Sequence, residues 1–322
     1  MTYRKLIACC FFFATLVASF SNGFAQSFPQ KQIRMVVPFP PGSATDMAAR
    51  IMGQQIGSSL GQPVVIDNKP GAFGSIAAME VIRSNPDGYT LLFSSNSAIS
   101  SNVALLKKIP YDPTKDFTPV VGVGENMLVL VTKSNSQFKN LQELIAYAKQ
   151  NPGKLSAGYG SSSSQVCIAM LNKLGGIEIM SVPYKGIPLA INDVLGETLD
   201  FTFADIGNAL AQTKGGAMKS LGVTAPKRSS LAPEWPAIAE TLPGFDITAW
   251  FAIVGPAGMP KDVVNKISSA AIASLKKQDV KEKLAAIGLA TMPLTPDQLQ
   301  SFISTEIINW TRLVKEANIQ AE

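Results

Sequence analysis

The stretch Ile33-Arg34-Met35-Val36-Val37-Pro38-Phe39-Pro40-Pro41-Gly42-Ser43-Ala44-Thr45-Asp46 decides the fold. Ile33 to Phe39 is an apolar run of the kind that forms a buried parallel strand. Pro40-Pro41-Gly42-Ser43 ends it, and a helix is expected from about Thr45 to Leu60. Met47, Ile51, Ile56 and Leu60 fall on or near one face of that helix, and Gly61 terminates it. A strand, a small-residue turn and a helix form the repeating unit of an α/β fold.

The same grammar recurs outward from this unit. Strands are expected at Val64 to Asp67 and Tyr89 to Ser94, with a helix from Ala72 to Arg83 closed by the turn Asn85-Pro86-Asp87-Gly88. The middle of the chain repeats it. Strands are expected at Met127 to Thr132, Leu155 to Tyr159, Ile179 to Tyr184, Leu199 to Ala204 and Leu221 to Thr224. Helices are expected at Leu141 to Gln150, through Val166, Met170 and Leu174, and from Ile187 to Leu195. A strand-like run, Phe251 to Val254, then leads to helices around Val263 to Leu275, Val280 to Ile287 and Pro296 to Asn318. With 322 residues the chain is long for one compact unit. Two α/β lobes follow, residues 26–124 plus 250–322 and residues 125–249, with crossings near Gly122 to Met127 and Thr248 to Trp250.

The N-terminus reads as a leader. Arg4 and Lys5 precede an apolar core from Leu6 to Phe20, and Gly23 and Ala25 fit a cleavage site near Ala25. The run is shorter than the ~20 residues of a spanning helix. A lipobox reading of Leu6-Ile7-Ala8-Cys9 fails because too little apolar sequence precedes Cys9. Residues 1–25 are therefore expected to be a signal peptide and the mature protein periplasmic. Removing Arg4 and Lys5 takes the formal charge from +5 to +3, a mild field favouring anions. Basic residues are dispersed, so no nucleic-acid partner is expected, and a monomer is. Cys167 alone survives cleavage, which excludes an intramolecular disulfide and suits a buried small hydrophobe.

Two turns invite an anion. Loop one follows Phe39 and reads Pro40-Pro41-Gly42-Ser43-Ala44-Thr45-Asp46; loop two reads Gly158-Tyr159-Gly160-Ser161-Ser162-Ser163-Ser164. Helix N-termini present unpaired N–H groups and partial positive charge, hydroxyls add donors, and glycine admits a ligand to the backbone. The alternative reading is ordinary capping by Ser43, Thr45 and Ser164. Tyr184, in Tyr184-Lys185-Gly186, either contacts a ligand or is a half-buried strand-end tyrosine. Asp205 either recognises a ligand hydroxyl or amine or caps the next helix. Ser94, Ser95 and Asn96 either donate to a ligand or form a plain turn. The chain contains no histidine, which excludes Ser-His and Cys-His catalysis and histidine-ligated metals; no metal or cofactor is expected. A Ser-Lys pair such as Ser161 with Lys185 is the residual hydrolase reading. No GxSxG, Walker or GxGxxG signature occurs.

An ordered set of short motifs then resembles the tripartite tricarboxylate transporter receptors, the Bug-type solute-binding proteins. They are Val36-Val37-Pro38-Phe39-Pro40-Pro41-Gly42, Thr45-Asp46 with Arg50, Gly61-Gln62-Pro63-Val64-Val65, and Lys69-Pro70-Gly71-Ala72. They continue with Pro86-Asp87-Gly88-Tyr89-Thr90-Leu91, Tyr111-Asp112-Pro113, Asp116-Phe117, Val182-Pro183-Tyr184-Lys185-Gly186, Arg228-Ser229, Trp250, Pro256-Ala257-Gly258, and Glu306 with Trp310. The resemblance implies a type II periplasmic binding fold that closes on a carboxylate, held by the two loops and ordered waters. It also implies delivery to a two-component permease. A periplasmic sensor that signals to a membrane kinase is the alternative of another class. Three positions depart from the family pattern: Ser43 replaces a second glycine, Ser163-Ser164-Gln165 lacks a common histidine, and Ser181 stands where a histidine often precedes Val-Pro-Tyr-Lys-Gly.

Overall fold

The computed structural model describes residues 28–321; the expected signal peptide lies outside them. The strands are β1 (Ile33–Val37), β2 (Val64–Asn68), β3 (Thr90–Ser95), β4 (Phe117–Lys133), β5 (Ser156–Tyr159), β6 (Met180–Pro183), β7 (Phe201–Asp205), β8 (Met218–Val223), β9 (Thr248–Pro256) and β10 (Leu289–Thr291). The helices are α1 (Ala44–Leu60), α2 (Ser75–Ile82), α3 (Asn102–Leu105), α4 (Leu141–Gln150), α5 (Ser162–Gly175), α6 (Ile187–Leu195), α7 (Ile206–Lys214), α8 (Lys261–Leu275), α9 (Gln278–Ala286) and α10 (Pro296–Glu316).

The strands run in the order β2-β1-β3-β9-β4-β7-β5-β6, with β8 and β10 also pairing to β4. Parallel pairing is confined to the two flanks, β2-β1-β3 and β7-β5-β6. Strand-helix crossovers require this arrangement, and helices then cover the sheet faces. Antiparallel β9 and β4 join the flanks in the middle, from Phe117 opposite Pro256 to Met127 opposite Thr248. Beyond Met127, β4 changes partners and runs with β7 and β8. Two α/β halves are thus joined by two paired strands.

Several elements differ from the sequence expectation. The strand expected at Met127 to Thr132 is the second half of a 17-residue strand. Its first half, Phe117 to Asn126, carries Pro119, Gly122 and Gly124, which broke the apolar signal. The helix expected from Ala72 splits at Phe73, whose φ of 48° is left-handed, and the α-helix starts only at Ser75. The buried face of α1 is Ala48, Ala49, Met52 and Ile56, flanked by Gly53 and Gly57 against Val64. Small residues there let the helix lie close to β2, so large side chains marked the buried face poorly. Where Ser94, Ser95 and Asn96 had a plain turn as one reading, Ser94 and Ser95 end β3 and Asn96 opens a π turn over Ser97–Ser101 that leads into α3.

Cys167 is fully buried in the core of the middle half, and burial pushes its thiol well above the usual range. Helix α10 contributes to two cores. Leu299 and Ile303 pack with β3, β9 and α2, whereas Trp310, Val314 and Ala317 pack with β5, α5 and β7. The Glu306 carboxylate sits between them, accepting from Trp250 Nε1 at 2.7 Å and Trp310 Nε1 at 3.1 Å. Among the described residues no helix is long and apolar enough to cross a membrane.

Candidate functional site

Four strand-to-helix handovers meet at one crevice between the halves. They are the turn after β1 (Ser43, Thr45), the turn after β3 (Ser95, Asn96), the turn after β5 (Gly160, Ser161, Ser163) and the end of β7 (Asp205). Phe39, Leu128, Ile187, Ala249 and Phe251 supply apolar walls. The crevice holds about 370 Å³ of empty space, part of it open to solvent. Little of that space is wide enough for a water molecule, so the halves are drawn close together. The carboxyl ends of parallel strands are where α/β proteins place ligands, because helix N-termini converge there.

Each loop is built by its own hydrogen bonds. Ser43 is the N-cap of α1, and its Oγ accepts from the Asp46 N–H at 3.2 Å. The Asp46 carboxylate faces back into the loop and accepts from the Gly42 N–H (3.0 Å), Asn68 Nδ2 (2.9 Å) and both Arg50 Nε (3.1 Å) and Nη2 (2.9 Å). Burial raises this carboxyl, but donation from Arg50, Asn68 and Gly42 outweighs it and leaves the pKa below the usual value. Asp46 therefore shapes loop one from behind. Pro41 and Gly42 are exposed beside it, and Ala44 is buried. In loop two, Ser161 is the N-cap of α5 and forms a capping box with Ser164, whose Oγ accepts from the N–H groups of Gly160 and Ser161 at 3.1 Å. The capping reading thus holds for Ser43 and Ser164. Thr45 lines the crevice, and the cap of α1 is Ser43 alone.

The remaining serines join the halves. Ser162 Oγ lies 2.8 Å from Ser97 Oγ, accepts from Ser101 Oγ at 2.7 Å and from Asn96 Nδ2 at 3.3 Å. Asn96 Nδ2 also reaches Ser163 Oγ at 3.1 Å. Ser97, Ser101, Asn96 and Ser162 are all fully buried. Phe73 stacks on Tyr159 across the same junction, at 6.0 Å between ring centres and 19° between planes. Asn208 Nδ2 reaches the Gly42 carbonyl at 3.5 Å. Two glycines permit this approach: a methyl on Gly186 would strike the Pro40 ring, and one on Gly207 would strike the Ile287 backbone.

Tyr184 does not line this crevice. Its hydroxyl donates to Asp193 at 2.5 Å, and burial followed by that bond pushes its pKa up to about 12. It lines a neighbouring depression with Tyr159, Gly160 and Phe73. Ser94 is buried, its hydroxyl turned to the Ser95 carbonyl. Lys185 lies in that neighbouring depression, outside the crevice that Ser161 lines.

Asp205 is the one ionisable residue lining the crevice among those described. Burial raises its pKa to about 6, against hydrogen bonds from its own N–H, the Ala44 N–H and Asn126. Asn126 Nδ2 donates to Asp205 Oδ1 at 2.7 Å, while Asn126 Oδ1 is buried with no partner among the described residues. Sequence reading missed Asn126, Ser97, Ser101, Leu128, Ile187, Ala249 and Phe251. A polar Asn126 inside a strand between apolar neighbours was the available signal. The apolar wall residues look like any core residue.

Residues 48–319 match the family model described as Tripartite tricarboxylate transporter family receptor. Protein BugT of Bordetella pertussis is 33% identical over 320 residues, covering 98% of each chain. A protein from the tcbD-tcbE intergenic region of Pseudomonas sp. strain P51 is 33% identical over 92% of this chain and 89% of its own. Among solved structures, Rpa4515 of R. palustris with adipate superposes with a TM-score of 0.89 at 30% identity, covering 92% of this chain and all of that one. MatC of Rhodopseudomonas palustris with bound malate gives 0.84 at 31% identity, covering 89% and 100%. The periplasmic binding protein BugD gives 0.87 at 30% identity, covering 92% and 100%. The chain has the α/β fold of these periplasmic binding proteins and belongs to the tripartite tricarboxylate transporter receptor family, a family of binding proteins and not of enzymes.

Proposed function

We propose that the chain is exported to the periplasm, losing residues 1–25 near Ala25, and there captures a small mono- or dicarboxylate between two lobes. The lobes are residues 26–124 plus 250–322 and residues 125–249. Closure then presents the ligand to a two-component membrane permease. The observation that carries this reading is the meeting of four strand-to-helix handovers at one crevice lined by serine, threonine and asparagine. Relatives with adipate and malate support the ligand class.

The donors on offer are the hydroxyls of Ser43, Thr45, Ser95, Ser161 and Ser163 and the Asn96 amide. Hydrogen bonds to a charged carboxylate contribute about 1.5–3 kcal/mol each, so three or four support micromolar binding. A ligand favours closure only through contacts made in the closed state alone, and this crevice takes walls from both halves. The test is a thermal-shift screen over a carboxylate panel followed by calorimetry. A ligand at about 100 times its Kd adds about 2.7 kcal/mol of stability, several degrees of Tm. Silence from every mono-, di- and tricarboxylate offered refutes the assignment. Deleting the gene is expected to abolish uptake of the acid found, without abolishing transcriptional responses to it.

A further inference from the structure

We infer that Asp205, oriented by Asn126, forms a receptor for a hydrogen-bond donor on the ligand, so that the acid captured carries an ammonium or hydroxyl group beside its carboxylate. This deepens the carboxylate reading and rests on it. A crevice that binds only anion oxygens needs donors, yet this one places a carboxylate in its wall. Asn126 does not neutralise that carboxylate; it donates one N–H to Oδ1 at 2.7 Å. The donation fixes the amide, leaving Asn126 Oδ1 as a buried acceptor with no partner among the described residues. Two acceptors, one of them charged, therefore lie one hydrogen bond apart with nothing donating to the second. Asn126 stands behind the crevice wall and Asp205 lines it, so the acceptor that a ligand N–H or O–H meets is the Asp205 carboxylate, held in place by Asn126.

No protein cation competes for the role. The elements around Asp205 send Ser43 and Thr45 (α1), Leu128 (β4), Ala249 (β9) and Ile187 (α6) into the crevice, all uncharged. The charges near the start of α1, Asp46 and Arg50, pair with each other. Glu125, beside Asn126 on β4, is exposed in a different depression with Asp246. An unsubstituted dicarboxylate would therefore set its own charge against Asp205 unless a proton lay between them. A 2-amino acid places a positive charge there, and a 2-hydroxy acid a neutral donor.

The experiment is calorimetry of the purified protein with matched series: succinate, malate and aspartate; glutarate, 2-hydroxyglutarate and glutamate; propionate, lactate and alanine. In at least one series the substituted acids are expected to bind ten-fold or more tightly than the parent. Raising pH through about 6 should strengthen binding of the amino acid and weaken that of the unsubstituted acid. D205N, shown to be folded by its melting transition, is expected to shrink the ten-fold preference toward unity. Equal or tighter binding of the unsubstituted acids overturns this inference and leaves the carboxylate reading standing. Failure of every acid to bind overturns both. The wild-type comparison decides the matter even if D205N does not fold.

Discussion

Replacing Gly207 by alanine separates closure from folding. Gly207 lies in the first turn of α7, where an added methyl would sit less than 3.0 Å from the O, C and Cα of Ile287 on the opposite half. Ordinary carbon contacts lie near 3.5–4 Å, so the two backbones must part by roughly 1 Å. A backbone cannot rotate aside as a side chain can, which places the penalty within the overpacking range of about 1–3 kcal/mol. All of it falls on the state in which the halves touch. Apparent affinity should drop roughly five- to hundred-fold. Alanine is meanwhile the better helix former by about 0.5–1 kcal/mol, so thermal stability without ligand should hold or rise. Calorimetry with an acid from the panel reads the affinity, and small-angle scattering with saturating ligand reads the closure. Gly215→Ala is the control, since its methyl would meet only the Ala211 and Gln212 carbonyls of its own helix, at 3.4 and 3.7 Å. Unchanged affinity in Gly207→Ala would refute the claim that this contact belongs to the ligand-holding state.

Three further outcomes are expected. Ser162→Ala removes the hydroxyl shared by Ser97, Ser101 and Asn96; at about 0.5–1.5 kcal/mol per bond, affinity should fall about ten-fold or more with little change in the ligand-free melting curve. Asp205 has a native pKa raised to about 6 by burial, against about 3.9 unfolded, so the native state holds the proton more tightly. Its contribution to stability is complete below pH 4 and lost as pH rises to about 6. Chemical denaturation from pH 4 to 7 should therefore show wild type losing up to about 3 kcal/mol relative to D205N; a difference that is flat with pH rejects the burial argument. Glu306→Ala strands the indole N–H groups of Trp250 and Trp310 and should cost about 2–4 kcal/mol in urea unfolding. Glu306→Gln, which keeps an acceptor, should cost less.

The legible parts of the fold were those written in local chemistry. The run to Phe39, the Pro-Gly breaks and the Gly61 stop placed β1 and α1 within a residue or two, because apolar periodicity and turn residues act over a few positions. The serine turns announced helix starts for the same reason. Their division of labour was not legible. Ser161 and Ser164 cap, Ser162 bridges and Ser163 lines the crevice, and only tertiary geometry distinguishes neighbours of identical chemistry. The first half of β4 was hidden because Gly122 and Gly124 there serve close packing against Leu294 and Leu289 and not turns. Asn126 acquires its meaning only when β7 lays Asp205 beside it.

Helix α10 bears on how the molecule can be dissected. It plugs the core of the middle half with Trp310, Val314 and Ala317 from the far end of the chain. A fragment cut at the two crossings would lack that plug and expose apolar core residues of the middle half to water. A single indole lost from such a core costs about 3–5 kcal/mol, a large share of what holds a unit of that size together. The middle half should therefore be recoverable on its own only when residues 296–319 are grafted back onto it, which makes the helix a shared part that ties the synthesis of one half to the completion of the other.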